Sequence, residues 1–129
     1  MIAKANCMKL ILQQVPAFDE RWQAHLCYWD DEEAGLCNDV AEFSRYVMDL
    51  VRTDELANLP AIFDLVERLM IDGDNEVQDA VATCFLENLL NAAAAERLDV
   101  NKFIHLLKPE SRAYCRAWDE FTGVYTEGL

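Results

Sequence analysis

Two histidines, five cysteines and a dense set of carboxylates are the side chains of this chain that could carry chemistry. His25, Cys27 and Asp30 lie close together and suggest either metal ligands or a nucleophile beside its base. On a helix, however, His25 and Trp29 share one face while Cys27 points elsewhere. The second histidine, His105, stands in a distant apolar run, so a Cys–His nucleophile pair would have to be assembled by tertiary structure. Asp72, Asp74 and Glu76 alternate as calcium ligands do, but a loop of EF-hand type starting at Asp72 needs its closing glutamate at position 83, which is Thr83. Only two serines occur, Ser44 and Ser111, and neither sits in a Gly-x-Ser-x-Gly elbow. Four glycines leave no phosphate-cradling loop. Paired carboxylates for acid–base work need a pocket to hold them, and among 24 acids chance pairs are expected. No catalytic residue, metal ligand or cofactor is assigned on these grounds. The aromatics Trp22, Trp29, Tyr114 and Trp118 fall at helical spacing and read as core, whereas Tyr28 and Tyr125 are the better surface candidates.

Charge is more informative. The 24 acids face 11 lysines and arginines, for a net charge of −13. Such a chain repels nucleic-acid phosphates and anionic membranes, and its natural electrostatic partner is a basic protein. The acids are not spread evenly. Residues 16–44 hold eight acids against one arginine, and residues 72–91 hold five acids and no base. The first patch is Asp30, Asp31, Glu32 and Glu33 with Asp39 and Glu42. The second is Asp72, Asp74, Glu76, Asp79 and Glu87. Acids at a helix N-terminus gain roughly 0.3–1 kcal/mol each from the dipole, a reading that stands level with partner binding for the second patch and is weaker for the first. Four consecutive acids exceed what one helix start uses, and they follow Tyr28 and Trp29, side chains of the interface-anchor type. The candidate partner-binding residues are therefore Tyr28, Asp30, Asp31, Glu32, Glu33, Asp39 and Glu42, followed by Asp72, Asp74 and Asp79.

The elements that must position these residues are helical. With 129 residues, 53% of them hydrophobic, the chain is expected to form one domain, 1–129, around a single core. Apolar residues recur at three- and four-residue spacing, and no hairpin turn separates alternating runs. The expected fold is all-α, a compact bundle of about seven antiparallel helices with HEAT-like hairpin character. The first helix covers about 3–14. The second covers about 17–29, with Phe18, Trp22, Leu26 and Trp29 on one face. After an acidic loop, Asn38 or Asp39 caps a third helix that buries Val40, Phe43, Val47, Leu50 and Val51. Pro60 opens a fourth that stops near Gly73, and Asp74 or Asn75 caps a long fifth one over about 76–98. A short sixth spans about 100–107. Pro109 starts a seventh, carrying Ala113, Tyr114, Ala117, Trp118 and Phe121. Apolar runs fall well short of the roughly 18 residues of a membrane span. The N-terminus lacks a signal-peptide pattern. Five cysteines without a Cys-x-x-Cys pair give neither a disulfide framework nor a zinc knuckle. Cys84 reads as a core thiol, and reduced cysteines suit a cytoplasmic protein.

Two segments carry a family resemblance: HLCYWDDEEAGLCNDVAEFSRYVMDLV, from His25 to Val51, and IFDLVERLMIDGDNEVQDAVATCFLENLLN, from Ile62 to Asn91. Together with the residues around them, about 16–91, they resemble a family of small, acidic, all-helical bacterial proteins of uncharacterised domain type. Those proteins are similar to immunity proteins encoded beside polymorphic toxins. The resemblance implies a binding protein that neutralises a cognate, basic toxin by covering its active site. It brings no catalytic residues. Two other expectations stand beside it: a HEAT-like adaptor that holds a basic partner, and a small hydrolase that would depend on His25 or His105.

Overall fold

Five phenylalanines run through the centre of the molecule in alternating edge-on and stacked contacts. Phe18 meets Phe43 at 5.1 Å between ring centroids, Phe43 meets Phe85 at 5.6 Å, Phe85 meets Phe63 at 6.1 Å and Phe63 meets Phe103 at 5.9 Å. All five are fully buried. Aromatic pairs at these separations add to what area burial alone contributes. The rings come from distant parts of the chain, so the spine ties the helices into one core.

The computed structural model describes residues 1–30 and 32–129. Among them are seven α-helices and no strand: α1 (Lys4–Gln14), α2 (Asp19–Trp29), α3 (Leu36–Arg52), α4 (Leu59–Asp72), α5 (Asn75–Val81), α6 (Glu87–Ala94) and α7 (Pro109–Thr122). The fold is all-α. Residues 82–86 form one π turn, so α5 and α6 make a continuous rod with a wide turn in its middle. Asn88 donates its side-chain amide to the Cys84 carbonyl within that turn, at 2.7 Å. The rod ends at Ala94, earlier than the expected 98, and the expected sixth helix is two 3₁₀ turns, Val100–Lys102 and Ile104–Leu106.

Local chemistry explains most starts and stops. Asp74 accepts the Val77 N–H at 2.9 Å and caps α5. Pro60 and Pro109 sit in the first turns of α4 and α7, where a missing N–H costs nothing. Gly73 makes the sharp turn between α4 and α5. A β-carbon there would run into the Leu69 carbonyl and lie 2.6 Å from Val77 Cγ1. The chain start is pinned to this turn, Ile2 donating to the Asp72 carbonyl at 2.6 Å and accepting from Asp74 N–H at 2.8 Å. α3 and α6 both end in a turn with a non-glycine residue in the left-handed region, Asp54 at φ 59° and Glu96 at φ 59°. In each the next residue donates back to the carbonyl five positions earlier, Glu55 to Leu50 and Arg97 to Ala92.

Several expectations are corrected. Neither Asn38 nor Asp39 caps α3. The helix begins at Leu36 behind Gly35, whose φ of 90° suits glycine. On α2, Leu26 is 43% exposed and His25 only 7%. At 3.6 residues per turn His25 falls about 20° from the Phe18 direction and Leu26 about 80° away, so the helix buries a histidine. On α7 the buried residues are Ser111 and Cys115, while Phe121 is 83% exposed. The start of α7 is held by Glu67 of α4, which accepts the Glu110 and Ser111 N–H groups and the Ser111 hydroxyl, each at 2.9 Å. A buried carboxylate on a helix N-terminus satisfies orphan donors and complements the dipole.

Candidate partner-binding surface

The two acidic segments, about forty residues apart in sequence, meet around the N-terminal segment. Lys4 Nζ lies 3.9 Å from Glu33 of the first patch and 3.7 Å from Glu76 of the second. A cavity beside it is lined by Lys4, Cys37, Glu76 and Asp79 among others. Ile2 bonds to the backbone of Asp72 and Asp74 on either side of Gly73. The buried Cys7 thiol reports the same convergence: it is pushed up to about 11, first by burial and then by the negative charge of Asp74 and Asp39. Asp74 belongs to one patch and Asp39 to the other.

A disulfide closes this face. Cys37, at the start of α3, is bonded to Cys84 in the π turn, with 5.6 Å between their α-carbons. This corrects the reading of Cys84 as a core thiol and of the cysteines as wholly reduced. Forty-seven residues separate the pair, and only the packing of α3 on the rod brings them together. Cys7, Cys27 and Cys115 are free. Burial pushes the Cys115 thiol up to about 12, with Asp119 adding to it. The argument for the cytoplasm from reduced thiols loses its basis with this bond. No helix of the described residues is long and apolar enough to cross a membrane.

The proposed binding residues divide into two groups. Tyr28, Asp30, Glu32, Asp72 and Asp79 are exposed, and among the described residues the four acids have no ion-pair partner. Tyr28 is 83% exposed and packs edge-on against Trp29. Asp30 closes α2 at φ 55° and ψ −127°, backbone that favours glycine. Asp31 lies outside the described residues. Glu33 is exposed but paired with Lys4.

The remaining three are turned to internal tasks. Asp74 is a helix cap. Asp39 Oδ1 accepts from His25 Nε2 at 2.8 Å. Glu42 lies between Arg21, at 3.3 Å, and Arg45, at 2.7 Å. Burial opposes ionisation of Glu42, but hydrogen bonds and positive charge from Arg45 and then Arg21 outweigh it, so its carboxyl titrates below the ordinary value. Arg21 continues to Asp49 at 2.5 Å. These pairs fasten α2 to α3 and hold the acidic loop between them. Glu87 likewise leaves the second patch. It accepts the Tyr114 hydroxyl, which burial, then this bond and its charge, push up to about 12.

His25 and Asp39 have the composition of a catalytic dyad. The imidazole stacks on Trp22, with centroids 5.4 Å apart, and meets Trp29 at 6.4 Å. It borders a cavity of about 400 Å³ lined also by Tyr28, Asn38, Glu42 and Arg45. That lining holds no serine, cysteine or threonine nucleophile. What the pair does in the structure is tie α2 to α3. Among the described residues no three His, Cys, Asp or Glu side chains are grouped to hold a metal ion.

The residues sequence reasoning missed are Lys4, Cys37 and Arg21. The signal for Arg21 was present, since it is the one base among eight acids in residues 16–44. Nothing local marks Lys4 or the Cys37–Cys84 pairing. No curated protein and no solved structure gives a match to this chain. Residues 8–123 match the model of a family described as a domain of unknown function, DUF7674, and the chain belongs to that family.

Proposed function

We propose that this DUF7674 member is an immunity protein: it binds a cognate bacterial toxin and neutralises it by covering the toxin's active site. In this reading it does no chemistry and takes no cofactor. The observation that supports it most is the meeting of the two acidic segments around Lys4. Asp30, Glu32, Asp72 and Asp79 then offer unpaired charge, and Tyr28 an exposed aromatic anchor. A basic toxin surface is the complement. Steered association of this kind reaches about 10⁸–10⁹ M⁻¹s⁻¹ at low salt, which suits an inhibitor that must act before damage is done. The site of action in this reading is the cytoplasm, and the thiol state of protein recovered from acid-quenched cells tests that part separately.

The experiment is a capture from the native host at low salt, repeated at high salt and with a Glu32→Lys, Asp72→Lys, Asp79→Lys variant. The expected result is one stoichiometric basic partner, lost with the variant, whose gene makes this chain essential when present. Many weak partners removed by salt, or a partner held equally by the variant, would overturn the reading.

A further inference from the structure

A different region carries an inference that does not rest on the immunity reading. α3 and the α5–α6 rod run parallel: Cys37 is bonded to Cys84, Asn88 donates to Ser44 at 3.2 Å, and Arg52 donates to the Arg97 carbonyl at 3.1 Å. Toward the C-terminal ends the groove between them opens into a cavity of about 460 Å³, lined by Arg45, Met48, Arg52, Asn88, Asn91 and Arg97, with no carboxylate in the lining. Three of the chain's 11 bases border one cavity in a protein of net charge −13.

The donors are set by their other bonds. Arg52 gives Nε to the Arg97 carbonyl and Nη1 to Asp49 at 3.2 Å, which fixes its guanidinium and leaves Nη2 without a partner among the described residues. The Arg97 guanidinium has no protein partner among the described residues. Arg45 is paired with Glu42, but Glu42 lines the neighbouring cavity and not this one. The Asn88 amide nitrogen is spent on Ser44 and on the Cys84 carbonyl, so its oxygen is the free end. Asn91 is exposed. Helix dipoles account for a cation at each helix end, Arg52 and Arg97. Glu42 accounts for Arg45 through a pair one turn apart, but neither effect gathers the three guanidinium groups around one lining without acids.

We propose that this groove is a binding site for a small organic anion, a phosphate or carboxylate group attached to an apolar body. Guanidinium groups hold such anions through paired, charge-assisted hydrogen bonds. The Met48 side chain would take the apolar body and the Asn88 oxygen a donor on the ligand. The cavity is in the size range of small-molecule sites and larger than a bare ion uses.

The test is titration of the full chain with inorganic phosphate, phenyl phosphate and citrate at constant ionic strength, followed by calorimetry and by the arginine Nε–H resonances. Saturable shifts are expected at Arg45, Arg52 and Arg97, which are exposed along the groove, and not at the likewise exposed Arg68, which borders a different cavity. Phenyl phosphate should bind more tightly than inorganic phosphate, and saturation of the same resonances by citrate shows whether the site takes carboxylates as well as phosphates. Arg97→Ala should weaken binding roughly tenfold, the loss of one charge-assisted hydrogen bond, because the carbonyl that anchors Arg52 is retained. Arg45→Gln serves as a second variant. Shifts of equal size at Arg68, no saturation, or unchanged affinity in both variants would overturn the proposal.

Discussion

The two ends of α3 lie about 24 Å apart along the helix and differ in how their charges are paired. At the N-terminal end Glu33, Glu76 and Asp79 gather around Lys4. At the C-terminal end Arg52, Arg97 and Lys102 gather beside the last turns, and Asp49 and Asp54 pair with Arg52 and Lys102. Lys102 lies 2.7 Å from Asp54 and donates to the Val51 carbonyl at 3.3 Å. Each arrangement agrees with the helix dipole, but they are held differently. A covalent bond and a backbone bridge fasten the acidic end. Two left-handed turns, closed by backbone hydrogen bonds and tied by side-chain bonds from Arg52 and Lys102, shape the C-terminal end. An end rich in like charge repels itself, and the crosslink keeps such a surface in place without neutralising it.

The largest expected effect breaks this difference at the acidic end. Replacing Cys37 and Cys84 together by serine, or reducing the bond, should cost about 2–4 kcal/mol, since the loop it closes is long. Urea unfolding measures this, and hydrogen exchange should quicken at residues 32–37 far more than at residues 88–97. An unchanged midpoint would mean that packing alone holds the acidic face. Next comes Gly73→Ala, where a β-carbon meets Val77 and the Leu69 carbonyl. A loss of about 1–3 kcal/mol is expected, with release of Ile2 from its bridge, and calorimetric melting checks it.

At the C-terminal end a gain is expected. Glu96→Gly removes a side chain from left-handed backbone and should stabilise by about 1 kcal/mol. Asp54→Gly should gain less, because it also loses the Lys102 pair. Thermal melts of the two variants would show equal gains if that pair contributes nothing. The smallest effect concerns pH. Glu42 ionises more readily folded than unfolded, so its contribution is present above its unfolded pKa and is lost as pH falls through the lower folded value. Stability should therefore decline as pH drops below about 4.5, the ordinary value, and Glu42→Gln should make that decline shallower. Equal acid limbs for the two proteins would show that Arg21 and Arg45 do not favour the charged form.

Much of the fold was legible because it is local. The stripes of α3, α4 and the rod follow three- and four-residue spacing, and Val40, Phe43, Val47, Ile62, Val66, Val77, Val81 and Phe85 are all buried. Asp74 and the prolines act within one turn of where they stand. The failures share a cause. Leu26 and Phe121 are apolar residues at plausible positions, and whether a neighbour covers them depends on the rest of the fold. His25 is buried because Asp39 is there to bond it. Of the candidate binding residues, composition located the acids but did not distinguish exposed Asp72 and Asp79 from Asp39 and Glu42, which are occupied by His25 and by arginines.

The sequence by itself determined the class of fold, the helix spans to within a few residues, the strong negative charge and its concentration in two segments. These follow from side-chain periodicity, capping chemistry and counting, all of which act over short distances in the chain. Tertiary structure alone decided that the two acidic segments share one face, that Cys37 reaches Cys84, and that Arg45, Arg52 and Arg97 surround one groove. Each of those depends on residues brought together across tens of positions by the packing of α3 against the rod. Such a meeting has no local signature, because its energy lies in the fit of two surfaces and not in either segment.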